Sequence, residues 1–216
     1  MIIFDYNQVA ISNLMEQIGS SKVSVDETLV RHMILNTIRT YVKKFKASHG
    51  PEVVIACDNK KYWRKEFFPF YKAGRKKARE KSDLDWHLIF DILGNLKQEL
   101  KENFPYKVID VDGAEADDII AYYSQHLPEK YGSKCFIVSS DKDFIQLVND
   151  DVIVYRPIEK EYYTKDTVKE KFGVLADNFI LYKILLGDNS DKVAGVKGLG
   201  EKGLLKKFPE LAIEVL

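Results

Sequence analysis

Three aspartates stand directly behind short apolar runs, and that placement constrains the fold more than anything else in this 216-residue chain. Asp5 follows Ile2-Ile3-Phe4, Asp58 follows the run that begins at Glu52 and continues through Ala56, and Asp141 follows Ile137-Val138-Ser139-Ser140. Each run is short and β-rich, as expected of a buried strand. Between the runs the apolar spacing changes to a helical period. Val25 to Ala47 repeats through Val25, Leu29, Met33, Ile34, Ile38, Tyr41, Val42 and Phe45, and Leu84 to Phe104 through Trp86, Ile89, Phe90, Leu93, Leu96 and Leu100, with Ser82 or Asp83 as its N-cap. Further strands are expected at Tyr106–Val111, Cys135–Val138 and Val152–Tyr155, with helices from about Glu115 to Gln125 and about Asp143 to Leu147. Strands alternating with helices predict an α/β fold with a mostly parallel central sheet and helices on both faces. In such sheets ligands bind outside the carboxyl ends of the strands, so the three aspartates are expected to face one crevice.

Further acids join them: Glu115-Ala-Asp117-Asp118, Asp143 beside Asp141, and Asp188 with Asp191. Singly, each has an ordinary explanation: acids are favoured at helix N-termini and on solvated faces. Together they pose an electrostatic problem, because a like-charged pair ~4 Å apart costs about 1 kcal/mol in water and several times more in a drier cleft. Divalent cations resolve it, and oxygen-only ligands suit Mg²⁺ or Mn²⁺. Cys57 and Cys135 lie inside apolar runs and read as buried core residues.

Formal charge balances at 33 basic against 33 acidic residues, yet the charges are segregated. Ten basic residues crowd into 60–81 (Lys60, Lys61, Arg64, Lys65, Lys72, Arg75, Lys76, Lys77, Arg79, Lys81) against Glu66 and Glu80, while 110–118 holds five acids and no base. A basic surface beside an acidic crevice suits a polyanion held over bound metal. Tyr62, Trp63, Phe67, Phe68, Phe70 and Tyr71 interleave the cations and offer stacking faces, although packing against the domain is the favoured reading for Phe67 and Phe68. Near the C-terminus, Gly195-Val-Lys197-Gly198-Leu-Gly200-Glu-Lys202 precedes a basic helix, with Lys192, Lys206 and Lys207 nearby. Glycines there let backbone N–H groups approach a phosphate, as in a helix-hairpin-helix. No apolar run approaches a membrane span, and a chain opening directly on Met1-Ile-Ile-Phe-Asp5 leaves no room for a signal peptide, so the cytoplasm, of a host cell if phage-encoded, is expected.

These motifs in this order resemble the flap endonuclease and 5′-nuclease superfamily, and within it the RNase H group of T-even-like bacteriophages. The resemblance rests on Ile-Phe-Asp5 with Gln8-Val-Ala10, Cys-Asp58, Tyr62-Trp63-Arg64, Tyr71-Lys72-x-x-Arg75, Glu115-Ala-Asp-Asp118, Ser139-Ser-Asp-Lys-Asp143-Phe and Gly187-Asp-Asn-Ser-Asp191. It implies a PIN-like 5′-nuclease fold, with a core over 1–186, a helical arch at about 60–83, and a helix-hairpin-helix over 187–216 that reads as a truncated duplex-binding region. It further implies two Mg²⁺ ions, replaceable by Mn²⁺. Asp5, Asp58, Glu115 and Asp117 are similar to one site's ligands, Asp141, Asp143, Asp188 and Asp191 to the other's, and Asp118 joins either the direct ligands or the residues behind them. By the same resemblance Lys72 and Arg75 meet the scissile phosphate, supported by Arg64 and Tyr71, while Gly195, Lys197, Gly198, Gly200 and Lys202 hold duplex, with room for a K⁺ ion. The implied activity is 5′ to 3′ exonuclease and flap cleavage, with RNA primer removal in DNA replication. The implied partners are DNA and RNA–DNA duplexes with 5′ ends, nicks or flaps, single-strand DNA-binding protein and a sliding clamp, for a monomer with no membrane contact. Two alternatives stay open, a PIN-type ribonuclease acting on single-stranded RNA and a non-catalytic DNA junction binder.

Overall fold

A computed structural model describes residues 1–18, 26–82, 84–188 and 193–216, with side chains described in these ranges except at 16–18, 76, 78 and 131. Val25, Asp83, Asp191 and Lys192, which figure in the sequence reading, lie outside the described residues, as does the side chain of Lys76.

Chain order explains the layers. Strand β1 (Ile2–Asp5) runs without a linker into α1 (Tyr6–Ile18), and α2 (Glu27–His49) leads to β2 (Val53–Cys57). Two short helices follow, α3 (Arg64–Phe67) and α4 (Ala73–Glu80), then α5 (Trp86–Asn103), β3 (Lys107–Asp110), α6 (Ala116–Tyr131) and β4 (Cys135–Val138). A 3₁₀ turn at Lys142–Leu147 replaces the helix expected there, and it precedes β5 (Val152–Arg156), β6 (Glu161–Tyr163) and α7 (Lys165–Phe172). The chain closes with α8 (Phe179–Leu186), the two-residue strands β7 (Gly187–Asp188) and β8 (Val193–Ala194), and α9 (Glu201–Lys207).

Six strands form one sheet in the order β3-β2-β1-β4-β5-β6, parallel except for β6 at the edge. The twofold period of a strand divides the core. Ile2, Phe4, Val53, Ile55, Phe136 and Val138 pack under α1, α2 and α5, while Ile3, Val54, Ala56, Ile137 and Val154 pack under α6 to α9. Cys57 and Cys135 are buried, free and on opposite faces of the sheet. Burial pushes their thiols up to about 12 and about 11.

The α5 N-cap is Asp85, whose side chain accepts from the amides of His87 and Leu88, both at 3.0 Å, so the expected cap at Ser82 is displaced by three residues. Helix α6 runs beyond Gln125 to Tyr131 before Gly132 ends it in a left-handed conformation. Not expected from the sequence were α1, α7, α8 and the short strands β6, β7 and β8.

Candidate active site

Strand order reverses direction between β1 and β4, which makes a crevice at their carboxyl ends. Asp5 closes β1, Asp58 follows β2, and Asp141 caps the 3₁₀ turn after β4, its carboxylate accepting from Asp143 N at 2.9 Å. Helix α6 begins at the same rim and brings Glu115 as N-cap, then Asp117 and Asp118. The backbone ties these pieces together. Ala116 N donates to Asp58 Oδ1 at 2.9 Å, Asn7 Nδ2 to Asp58 Oδ2 at 3.0 Å, and Ser139 Oγ to Asp5 Oδ2 at 3.0 Å.

The crevice resists ionisation. Burial, then the neighbouring charges of Asp117 and Asp58, raises the Asp5 carboxyl well above its usual range. Burial likewise lifts Asp117 to about 7, with Asp141, Asp58 and Glu115 adding repulsion that Lys72 partly offsets, and burial raises Asp141 as well. Carboxylates that hold protons this firmly are placed where a cation would be more welcome still.

Two lysines answer that charge. Lys72, the N-cap of α4, has a left-handed backbone (φ 54°) and reaches Glu115 Oε1 at 2.7 Å. Burial disfavours its ammonium, but Glu115 outweighs that and raises its pKa. Lys183, on α8, donates to Asp143 and, at 2.8 Å, to Asp188 Oδ2. Among the described residues, no three His, Cys, Asp or Glu side chains are gathered as a group that could hold a metal ion as they are placed. As placed, Glu115, Asp143 and Asp188 are paired with the two ammonium groups. The donor chemistry nonetheless fits hard divalent cations: the candidate ligands are all carboxylate oxygen, and several resist ionisation.

Asp118 is held by four hydrogen bonds. Its Oδ2 accepts from Arg64 Nη1 at 2.8 Å and from Glu115 N at 2.9 Å, and its Oδ1 from Arg64 Nη2 at 2.9 Å and Trp63 Nε1 at 3.3 Å. Burial works against its charge, but the guanidinium fork and the Glu115 amide hold its pKa below the usual carboxylate value. Asp118 therefore tethers Arg64 and Trp63 to the head of α6. Arg64, expected beside the substrate, is turned onto Asp118 and, at 3.0 Å, onto Glu115 Oε2. Together with Trp63 N on Gly113 O at 3.0 Å, these contacts fasten the start of the basic segment to the head of α6.

From that foot, α3 and α4 cross to α5, where the Arg79 guanidinium stands 5.5 Å from the Phe90 ring centre. Beneath them lies a cleft of about 840 Å³ lined by Lys60, Lys65, Tyr71, Lys72, Arg75 and Arg79, with Asp58 and Glu115 on its acidic side. An adjoining cavity of about 330 Å³ brings Asp5, Asp117 and Asp141 together with Lys72 and Arg75. Lys72 and Arg75 thus stand where the basic and acidic surfaces meet. Phe67 and Phe68 do not pack against the domain: they are 80% and 45% exposed, and Phe70 is 71% exposed. The favoured reading of Phe67 and Phe68 fails because α3 is too short to bury a face and follows the cations outward.

At the C-terminal end α8 packs against α9 and against β7, which pairs antiparallel with β8. Gly195 is pressed on the Leu186 backbone, where an added Cβ would come within 2.2 Å of its carbonyl carbon, so internal packing already requires a glycine here. Gly198 (φ 79°) and Gly200, the N-cap of α9, face open space beside exposed Lys197 and Lys202. Sequence reasoning missed Asn7, Ser139 and Lys183 as partners of the acids. Lys183 left one signal, a lone cation in Phe-Ile-Leu-Tyr-Lys-Ile-Leu-Leu five residues before Asp188.

The chain matches the family described as 5′-3′ exonuclease, N-terminal resolvase-like domain, over residues 12–173. Ribonuclease H of Enterobacteria phage T4 is 39% identical over 198 residues, covering 90% of this chain and 62% of the phage protein. A 5′-3′ exonuclease of Aquifex aeolicus is 35% identical over 190 residues, covering 86% of this chain and 63% of its own length. The chain therefore spans about three-fifths of the length of these relatives. In fold it resembles the flap endonuclease of bacteriophage T5, solved as a pseudo-enzyme-product complex with DNA and metal ions, at a TM-score of 0.78 and 22% identity over 98% of this chain and 75% of that one.

Proposed function

The chain belongs to the 5′-3′ exonuclease family through its N-terminal resolvase-like domain, and on that footing we propose that it is a structure-specific 5′ nuclease that hydrolyses phosphodiesters with two divalent metal ions. The observation that carries this reading is the acidic crevice at the β1–β4 switch point, roofed by a basic segment whose Lys72 and Arg75 border both surfaces. Its substrates are DNA and RNA–DNA duplexes with 5′ ends, nicks or flaps, and RNA primer removal in DNA replication is the corresponding role.

Asp5, Asp58, Glu115 and Asp117 would hold one ion, and Asp141, Asp143, Asp188 and Asp191 the other, with Mg²⁺ the natural occupant and Mn²⁺ a substitute. When bound, the ions supply a water of lowered pKa and neutralise charge on the scissile phosphate and leaving oxygen. The protein's own part is positional and electrostatic. Lys72 and Arg75 donate to the phosphate from the roof, and Lys72 must leave Glu115 to do so. Asp58 is held on both oxygens, by Asn7 and by the α6 amide, so its orientation is set before substrate arrives. The Arg64–Asp118 fork keeps the roof's foot fixed while its exposed aromatics offer faces for unpaired bases. Products carry a 5′-phosphate and a 3′-hydroxyl.

The core over 1–186, the arch at about 60–83 and the duplex-binding helix-hairpin-helix over 187–216 are parts of the same proposal. The open Gly198 and Gly200 with Lys197 and Lys202 support a phosphate contact there, and a K⁺ ion would sit on the same backbone. Single-strand DNA-binding protein and a sliding clamp are proposed partners of a monomeric enzyme. The test is cleavage of a 5′-labelled flap, a nicked duplex and single-stranded RNA in Mg²⁺, Ca²⁺ or chelator. Mg²⁺-dependent release from the flap and nick supports the reading. Preference for RNA lacking any duplex would replace it with a ribonuclease, and binding without cleavage in any metal would make the protein a junction binder.

A further inference from the structure

Ser140, the residue before Asp141, is gripped at every polar atom. Its N–H donates to Gln8 Oε1 at 2.9 Å, its carbonyl accepts from Arg156 Nε at 3.1 Å and Nη2 at 2.7 Å, and its Oγ accepts from Ile158 N at 3.4 Å. Arg156 closes β5, is 6% exposed, pairs with Glu159 Oε1 at 2.7 Å, and lies 5.9 Å from the Tyr163 ring centre. Neither Gln8 nor Arg156 has a part in the chemistry described above.

A buried guanidinium is costly unless its donors are met, and Arg156 meets them with the Ser140 carbonyl and Glu159. What the fork adds is orientation. The Ser140 carbonyl and the Asp141 N–H belong to one planar peptide unit, so two donors from a rigid guanidinium fix the plane from which the Asp141 side chain departs. The preceding peptide plane is fixed by Gln8, whose own N–H donates to Asp5 Oδ1 at 3.2 Å. Ser139 Oγ accepts from Asp141 N at 3.1 Å and donates to Asp5, closing the circuit between the two strand ends.

We propose that Arg156 and Gln8 are positioning residues that act through the Ser140 peptide to aim the Asp141 carboxylate into the crevice. The inference rests on the reading of Asp141 as a ligand for a divalent ion. Such ligand geometry must be held to about 0.5 Å, and loss of a supporting contact typically weakens metal affinity or activity by about 10–100-fold.

Arg156→Lys keeps the charge and can keep the Glu159 pair but cannot fork, and Gln8→Ala breaks the other side. Mn²⁺ binding to the metal-depleted protein, followed by calorimetry, is read beside thermal midpoint and the split between kcat and KM on a 5′ flap. Both variants are expected to bind Mn²⁺ about 10–100-fold more weakly and to lose kcat with KM nearly constant. The double variant is expected to lose less than the product of the single effects, since both act on one peptide segment. Lower thermal midpoints with wild-type Mn²⁺ affinity and kcat would make the clamp merely structural and overturn the inference alone. Absence of Mn²⁺ binding and cleavage in the wild type would overturn the nuclease reading and the inference together.

Discussion

Replacing Asp117 by Asn should stabilise the metal-free protein, and by more as the pH rises. Burial puts the Asp117 pKa at about 7 against an ordinary 3.8. A carboxyl with a raised folded-state pKa keeps its proton longer in the folded chain, so the folded state binds more protons between the two values. Stability present below about 3.8 is therefore lost as the pH rises towards about 7. At 1.36 kcal/mol per pH unit, the loss is capped at about 4 kcal/mol above that window. Asn keeps the shape and removes the charge, and even half of this ceiling, about 2 kcal/mol, corresponds to roughly 4–8 °C in a domain of this size. The assay is thermal unfolding of chelator-treated wild type and Asp117→Asn at pH 4.5 and pH 8. The variant's advantage should be small at the lower pH and several degrees at the higher, and excess Mg²⁺ should raise the wild type more than the variant. An advantage independent of pH, or an Asn variant less stable than wild type at pH 8, would show that burial and the neighbouring acids do not disfavour the Asp117 carboxylate.

Lys72→Ala should slow single-turnover flap cleavage by about 100-fold while changing DNA affinity in Ca²⁺ by far less; the reverse split, measured by rapid quench and fluorescence anisotropy, would make it a binding contact only. Arg64→Leu should release the foot of the roof, seen as a shift in Trp63 emission and a thermal midpoint lower by several degrees, whereas unchanged emission would show that Asp118 does not hold the segment. Lys197→Ala with Lys202→Ala should reduce the salt slope of duplex binding by about 2, and an unaltered slope would remove the hairpin from the interface.

What the sequence disclosed follows from the range of the interactions involved. Strands β2 and β4 were legible because they are continuous apolar runs closed by polar residues, and β4 was placed at Cys135–Val138 to the residue. Helix α1 was missed because it starts at Tyr6 with no intervening turn, leaving no boundary to read. Helix α8 was missed because eight nearly uniform apolar residues carry no period, and β6 because three residues paired antiparallel at an edge form too short a pattern. The acids of the site were legible as strand-end and helix-start residues. Their counter-charges were not. Arg64 meets Asp118 across 54 residues, Lys72 meets Glu115 across 43 and Lys183 meets Asp143 across 40, and nothing local marks a lysine for such a pairing. The contacts of Asp118 with Arg64 and of Gly195 with the Leu186 backbone were hidden for the same reason, since neither neighbour is marked in the local sequence.

The central claim is that the crevice at the ends of β1 and β4 holds two divalent ions in place of two lysine ammonium groups. Anomalous diffraction from crystals soaked in Mn²⁺ tests it most directly. Two peaks are expected, one coordinated by oxygens from among Asp5, Asp58, Glu115 and Asp117, the other by oxygens from among Asp141, Asp143, Asp188 and Asp191, with Lys72 and Lys183 withdrawn from Glu115 and Asp143. A crevice without a peak, with both lysines still seated on their carboxylates at saturating Mn²⁺, would contradict it.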